Sequence, residues 1–168
     1  MTSWTDFDAA EPDLASRARA ILSATVNGVL GTLRADGSPR LSGIDPFFVQ
    51  GELWLGSMPG ARKGADLRRD PRCSLHGIPW ESRKVKDGAD DPGEGDVKVT
   101  ARAVLLTDDA EHARVMAGFK EERGFEPPGP ADLFRLDLES VVVISVADDQ
   151  LVIDRWSATG GRQTVRRT

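Results

Sequence analysis

Arg62 and Lys63 stand side by side where a strand-like run, Leu53 to Ser57, gives way to a turn and a short helical stretch. The segment reads Ser57-Met58-Pro59-Gly60-Ala61-Arg62-Lys63-Gly64-Ala65-Asp66-Leu67-Arg68-Arg69-Asp70-Pro71. Pro59 and Gly60 break the chain, and Pro71 stops the helix that the spacing predicts over Ala61 to Asp70. A helix N-terminus presents unpaired N–H groups and the positive end of the dipole, which suit a phosphate. Two cations at such a start oppose the dipole, so they make better sense beside a bound anion. Arginine offers a bidentate fork and lysine a mobile point charge. The same residues also read as a plain solvated helix, with Asp66 pairing Arg62 at i+4 and Asp70 offsetting Arg69. Spacing alone leaves both readings open.

Other reactive side chains form no recognisable constellation. His76 follows Ser74 in a strand-like run and reads as a structural histidine. His112 reads as a surface residue of a capped helix. Cys73 is the only cysteine, which excludes a disulfide framework and a cysteine metal cage. The histidines lack ligand spacing for zinc. Trp80 follows Pro79 at the mouth of a polar stretch, as a partly buried anchor or the rim of a ligand pocket. Trp54, in an alternating strand, reads as core or dimer interface. The carboxylates between residues 87 and 96 read as a solvated charge run. No Ser-His-Asp or Cys-His arrangement can be assembled, which fits chemistry supplied by a cofactor.

These residues need a scaffold, and the chain is long enough to build one. Its 168 residues suit one domain, residues 1–168, with residues 1–10 expected to be a flexible N-terminus. Apolar residues at 39% and charged residues at 29% fit a globular protein. The formal net charge of −5 argues against general nucleic-acid binding. No apolar run approaches the roughly 18 residues of a membrane helix. The polar start, Met1 to Pro12, lacks a secretory pattern, and a cytoplasmic location is expected.

Leu14, Ala18, Ile21 and Leu22 mark one face of an amphipathic helix. Strands follow at Gly28–Arg34 and Arg40–Val49 around the turn-rich Ala35 to Pro39, and a second turn at Gln50-Gly51 leads into Leu53–Ser57. Such close succession implies antiparallel pairing. Cys73–Ile78 resumes as strand, Pro79–Asp96 reads as a long loop, and Val97 to Leu105 alternate like a half-buried strand. Asp108 and Glu111 have capping-box spacing for a helix ending near Gly124. Gly124–Pro130 reads as a linker. The strands Val141–Val146 and Leu151–Trp156 flank a turn at Asp148-Asp149. Six or seven strands with short helices suggest a barrel or sandwich.

The run Ala61 to Pro71 resembles the Arg-Lys-Gly-x-x-Leu-x-x-(Asn/Asp)-Pro segment of pyridoxamine 5′-phosphate oxidases and their relatives. The Asp36-Gly37-x-Pro39 turn, the strand after it and Leu53 to Ser57 are similar in order and spacing. The resemblance covers residues 25 to 77 well and the later strands more loosely. It implies a mainly β fold, an FMN-binding split β-barrel with short flanking helices, dimeric, with FMN at the subunit interface. Carried over, Arg62 and Lys63 would grip the FMN phosphate, with Ser57 and Met58 at the strand end helping. Arg40, with Ser42 just beyond it, begins the strand that would run beside the isoalloxazine. The oxidases read Val-Leu-Leu-Lys after Arg40, whereas this chain has Ser42-Gly43-Ile44-Asp45 and lacks that lysine. Trp156 and Gly161-Arg162 echo the oxidases' C-terminal segment, but no Arg-x-His follows. Trp156 and Arg162 would then complete the site across the dimer. The resemblance implies a homodimeric oxidoreductase that moves hydride to or from a small organic substrate. Some relatives use a deazaflavin instead of FMN, and a flavin- or haem-binding protein without turnover is a further alternative.

Overall fold

Two tight turns show how local chemistry lays out the sheet. Gln50 and Gly51 both take positive φ, 54° and 78°, as do Asp148 and Asp149 at 52° and 58°. Two successive left-handed residues make the hairpin turn that matches strand twist. The computed structural model describes residues 2–24, 27–77, 95–125 and 129–168. Trp80 and the stretch from residue 79 to 94 lie outside the described residues, as does the middle of the expected 124–130 linker.

The described elements are α1 (Trp4–Ala10), α2 (Pro12–Ser23), β1 (Gly28–Leu33), β2 (Pro39–Ile44), β3 (Pro46–Val49), β4 (Glu52–Ser57), α3 (Arg62–Arg69), β5 (Arg72–Gly77), β6 (Asp96–Leu105), α4 (Asp109–Arg123), β7 (Asp132–Ala147), β8 (Gln150–Ser157) and β9 (Gly161–Arg167). All nine strands join one sheet in the order β2-β1-β5-β6-β7-β4-β3, with β8 on β7 and β9 on β8. Every pairing is antiparallel. The sheet splits at β7. One edge of β7 follows β6 throughout. The other gives Asp132–Arg135 to β4 and Ser140–Ala147 to β8. This is the mainly β split barrel with short helices that the resemblance implies.

Nine strands replace the six or seven expected: one expected strand splits in two, one is added at the C-terminal end, and another starts earlier than expected. The single strand expected over Arg40–Val49 breaks at Asp45, so that β2 stays with β1 while β3 crosses to β4. Pro46, with no N–H to donate, opens the new strand. β7 begins at Asp132, well before Val141. The segment after Leu151–Trp156, for which no strand was expected, is β9, paired from Gly161 to Arg167 with β8.

The expected flexible N-terminus is also corrected. Ser3 caps α1 by accepting from Asp6 N, and the Asp6 side chain returns a contact to Ser3 N. Trp4 and Phe7 are buried, packed on Phe48 and Trp156 respectively. The main core gathers α1, α2 and the inner sheet face around Leu30, Leu53, Val99, Phe134 and Val141. A second cluster under α4 joins Phe47, Trp54, Val115, Phe119 and Leu133. α4 approaches so closely that a Cβ on Gly118 would sit 2.5 Å from Val49 Cγ1. Phe47, Phe48 and Trp54 thus fill the protomer's own core, and Trp54 Nε1 donates to Val49 O at 3.2 Å.

Candidate functional site: the corner between β4 and α3

β4 ends at Ser57, and a turn closed by Ala61 N donating to Met58 O (3.1 Å) leads into α3. Gly60 supplies the positive φ of 76° that this turn requires. No side chain caps α3 at Ala61, and its first turn contains no acid. No side chain of the helix itself compensates its leading N–H groups and dipole. The nearby acid is Asp132 of β7, which pairs with Arg68 and whose other oxygen would lie 3.6 Å from a Cβ on Gly64. Gly64 presses the helix start onto the strand end, since a Cβ there would lie 2.9 Å from Ser57 Oγ. Ser57 is buried, and its hydroxyl donates weakly to Met58 O at 3.4 Å. Met58 is 71% exposed.

The charges on α3 divide into two sets. Asp66 is 3% exposed and accepts from Arg40 Nε (2.6 Å), Thr32 Oγ1 (2.9 Å) and Arg69 (3.2 Å). Burial opposes its charge, but these donors outweigh burial and hold the carboxyl below its ordinary range. Asp70 instead pairs with Arg72 at 2.6 Å. The expected Asp66–Arg62 and Asp70–Arg69 pairs are therefore not the ones formed. Both Asp66 oxygens are turned inward, and Arg62 is exposed without an ion pair among the described residues. Lys63 reaches across to β2, where Nζ donates to Gly43 O at 2.7 Å. Partial burial pushes its ammonium pKa down.

The structure thus brings Ser57, Met58, Arg62 and Lys63 together. Arg40 sits behind them and braces α3 against β1 and β2 through Asp66, so it is a support and not an open ligand group. Ser42, half-buried, follows on the same strand opposite Leu30. Trp156 and Arg162 are not part of this corner. Trp156 is 5% exposed with its ring 4.6 Å from Phe7, so it cannot offer a face to a ligand. Arg162 is drawn to Asp154 (3.1 Å), Asp13 (3.6 Å) and Glu11 (3.7 Å). An aromatic followed by arginines here ties the last hairpin to the N-terminal helices.

Two features of the surroundings have no signal in the sequence. Gly43 matters through its carbonyl, which any residue would carry. The outer face over β1, β5 and β6 has a groove of about 280 Å³ whose lining includes Gly31, Ser74 and Thr100, with Leu41 of β2 standing 76% exposed beside Gly31. His112 is partly buried, its Nε2 meeting Ala131 O at 2.8 Å. Cys73 is buried, which pushes its thiol up to about 12. No helix among the described residues is long and apolar enough to cross a membrane.

Several solved structures share this fold. A haem-binding protein from Mycobacterium smegmatis superposes with a TM-score of 0.60 at 18% identity, over 92% of this chain and 58% of that one. The present chain therefore spans little more than half that protein's length. PhzG from Burkholderia lata 383, solved with tetrahydrophenazine-1-carboxylic acid, gives 0.60 at 15% identity over 96% of this chain and 91% of its own. HutZ, a haem storage protein of Vibrio cholerae, gives 0.59 at 22% identity over 80% and 94% respectively. No curated protein sequence matches. Residues 14–145 match the family described as pyridoxamine 5′-phosphate oxidase, a stretch that runs from α2 into β7 and includes the whole β4–α3 corner. On that match the chain belongs to the pyridoxamine 5′-phosphate oxidase family.

Proposed function

We propose that the chain is a homodimeric flavoprotein oxidoreductase that holds the phosphate of FMN at the start of α3. One observation carries this reading: an uncapped helix start bears an exposed Arg62 whose expected partner, Asp66, is committed elsewhere. Arg62 would fork onto the phosphate, Lys63 would add its charge from Gly43, and the N–H groups of α3 would complete the cradle. Gly64 fits this role, because any side chain there would push the helix start off Ser57. The backbone of β2 would run beside the ring, with the Ser42 side chain on the other face of the strand, opposite Leu30. Bound there, FMN would supply hydride transfer to or from a small organic substrate. The outer sheet face, with exposed Leu41 beside Gly31 and Gly43, suits a second copy closing over the ligand.

A second reading, haem binding without turnover, is favoured by the names of two of the structural neighbours. A deazaflavin on the same cradle is the nearest variant of the first. The absorption spectrum of the purified protein, before and after addition of FMN, separates them. The proposal expects an oxidised-flavin spectrum retained through gel filtration. A Soret band with no retained flavin overturns it in favour of haem, and a single deazaflavin band in favour of the other cofactor.

A further inference from the structure

Away from the cradle, a histidine–carboxylate pair stands on the outer sheet face, at the opposite end of β5 and β6 from the charged side chains of Arg72 and Arg102. Along β5 the side chains of Arg72, Ser74 and His76 face outward, while Cys73 and Leu75 are buried. His76 Nε2 is hydrogen-bonded to the Asp96 carboxylate at the start of β6. Lys98 Nζ lies 3.4 Å from the other Asp96 oxygen. His76 is 37% exposed and Asp96 21%, so the pair is open to a ligand while its geometry is set within the sheet.

Register ties this pair to the cradle. Gly43 in β2 stands opposite Val29 in β1, and Val29 stands opposite His76 in β5. Gly43 is also the residue whose carbonyl receives Lys63. The row from Lys63's anchor to His76 therefore crosses two strand spacings, about 10 Å. Nothing larger than Val29 stands between them in that row, and the next row is Leu41, Gly31 and Ser74. A flat group tethered by a phosphate at Arg62 and Lys63 would reach His76 if it lay along this row. When a carboxylate engages one ring nitrogen, the tautomer is fixed and the other nitrogen becomes an acceptor.

We propose that His76, oriented by Asp96, is the polar contact for the ring edge of the bound ligand, with Nδ1 accepting a hydrogen bond from a ring N–H. The face would then select planar heteroaromatic phosphates that carry an N–H over simple phosphates. This inference rests on the phosphate-cradle reading. Its rival is a surface ion pair of His76, Asp96 and Lys98 with no ligand duty.

FMN and riboflavin share the ring and differ in the phosphate, so titrating both by fluorescence quenching separates the two ideas. His76→Leu is expected to weaken both flavins by about tenfold, the equivalent of one hydrogen bond of about 1.4 kcal/mol. The Arg62→Ala/Lys63→Ala variant is expected to weaken FMN alone. The visible band of bound FMN, which reports hydrogen bonding at the ring, should also shift in His76→Leu. Asp96→Asn keeps the imidazole but loosens its orientation, and should weaken both flavins roughly threefold. It decides the matter alone if His76→Leu fails to fold. Unchanged affinity for both flavins in these variants overturns the role of His76 and leaves the cradle standing. Failure of the wild-type protein to bind FMN overturns the cradle reading instead.

Discussion

Asp66 and Arg62 lie one turn apart on α3, yet only Asp66 is tied into the fold, and their alanine variants should separate stability from the proposed binding. Asp66 is 3% exposed and receives Arg40, Thr32 and Arg69. Asp66→Ala would leave the Arg40 side chain, only 17% exposed, without its carboxylate and the Thr32 hydroxyl without its acceptor. Removing one partner of a buried pair costs about 3 kcal/mol, because the other charge stays desolvated. The better helix propensity of alanine returns only a few tenths. Arg62 is exposed without an ion pair among the described residues, so Arg62→Ala should change stability by less than about 0.5 kcal/mol. Urea unfolding of the two apo variants measures both numbers, with the slope checked to ensure that the denatured state is unaltered. A loss below about 1 kcal/mol for Asp66→Ala, or a comparable loss for Arg62→Ala, would refute the division of charges.

Three further outcomes follow from the same contacts. Asp154 is buried at 3% exposure, and although burial opposes its charge, Thr164, Arg17 and Arg162 hold its pKa at about 2. A folded pKa below the ordinary value contributes stability above about pH 4, lost as the pH falls toward 2. Asp154→Asn should therefore lose about 2 kcal/mol at pH 7, and thermal melts across the pH range should show the gap to wild type closing in acid. Gly64→Ala should displace the start of α3 from Ser57 and weaken FMN by roughly tenfold in titration, with at most about 1–3 kcal/mol lost in chemical unfolding. Trp156→Ala should cost about 3–5 kcal/mol by chemical denaturation, as a core truncation does, while FMN affinity of the folded fraction stays unchanged.

Much of the sheet was legible because its turns are chemically marked. Gly51, Gly37 and the Asp148-Asp149 pair take the left-handed backbone that glycine favours and aspartate tolerates, and Gln50 takes it beside Gly51. α4 could be placed from Asp108, which accepts from Glu111 N, and from Gly124, which closes the helix in the left-handed region. The missed strands lack the pattern that reveals a strand. In the first half of β7, Leu133 and Phe134 are buried in succession, as are Leu136, Asp137 and Leu138, because both faces are covered there. β9 is exposed along its length, so nothing forces alternation. α1 was hidden by its polar composition, with only Trp4 and Phe7 turned inward.

At the site, the Arg62-Lys63 pair and its turn could be read locally. The partners of Asp66 could not, since Thr32 and Arg40 come from 34 and 26 residues away. An i,i+4 rule offered Arg62 in their place. Trp156 and Arg162 were no easier to read: an aromatic near arginines describes a ligand site and an anchored hairpin equally well, and here Trp156 packs on Phe7 while Arg162 pairs with Asp154. Only burial tells them apart.

FMN affinity of wild type against Arg62→Ala/Lys63→Ala, with riboflavin as the ligand that lacks the phosphate, tests the central claim most directly. Charge-assisted hydrogen bonds contribute about 1.5–3 kcal/mol each, so losing two should weaken FMN by two decades or more. Riboflavin affinity should stay the same in both proteins. The account predicts that the double variant loses most of the preference for FMN over riboflavin. Equal FMN affinity in the two proteins would contradict it.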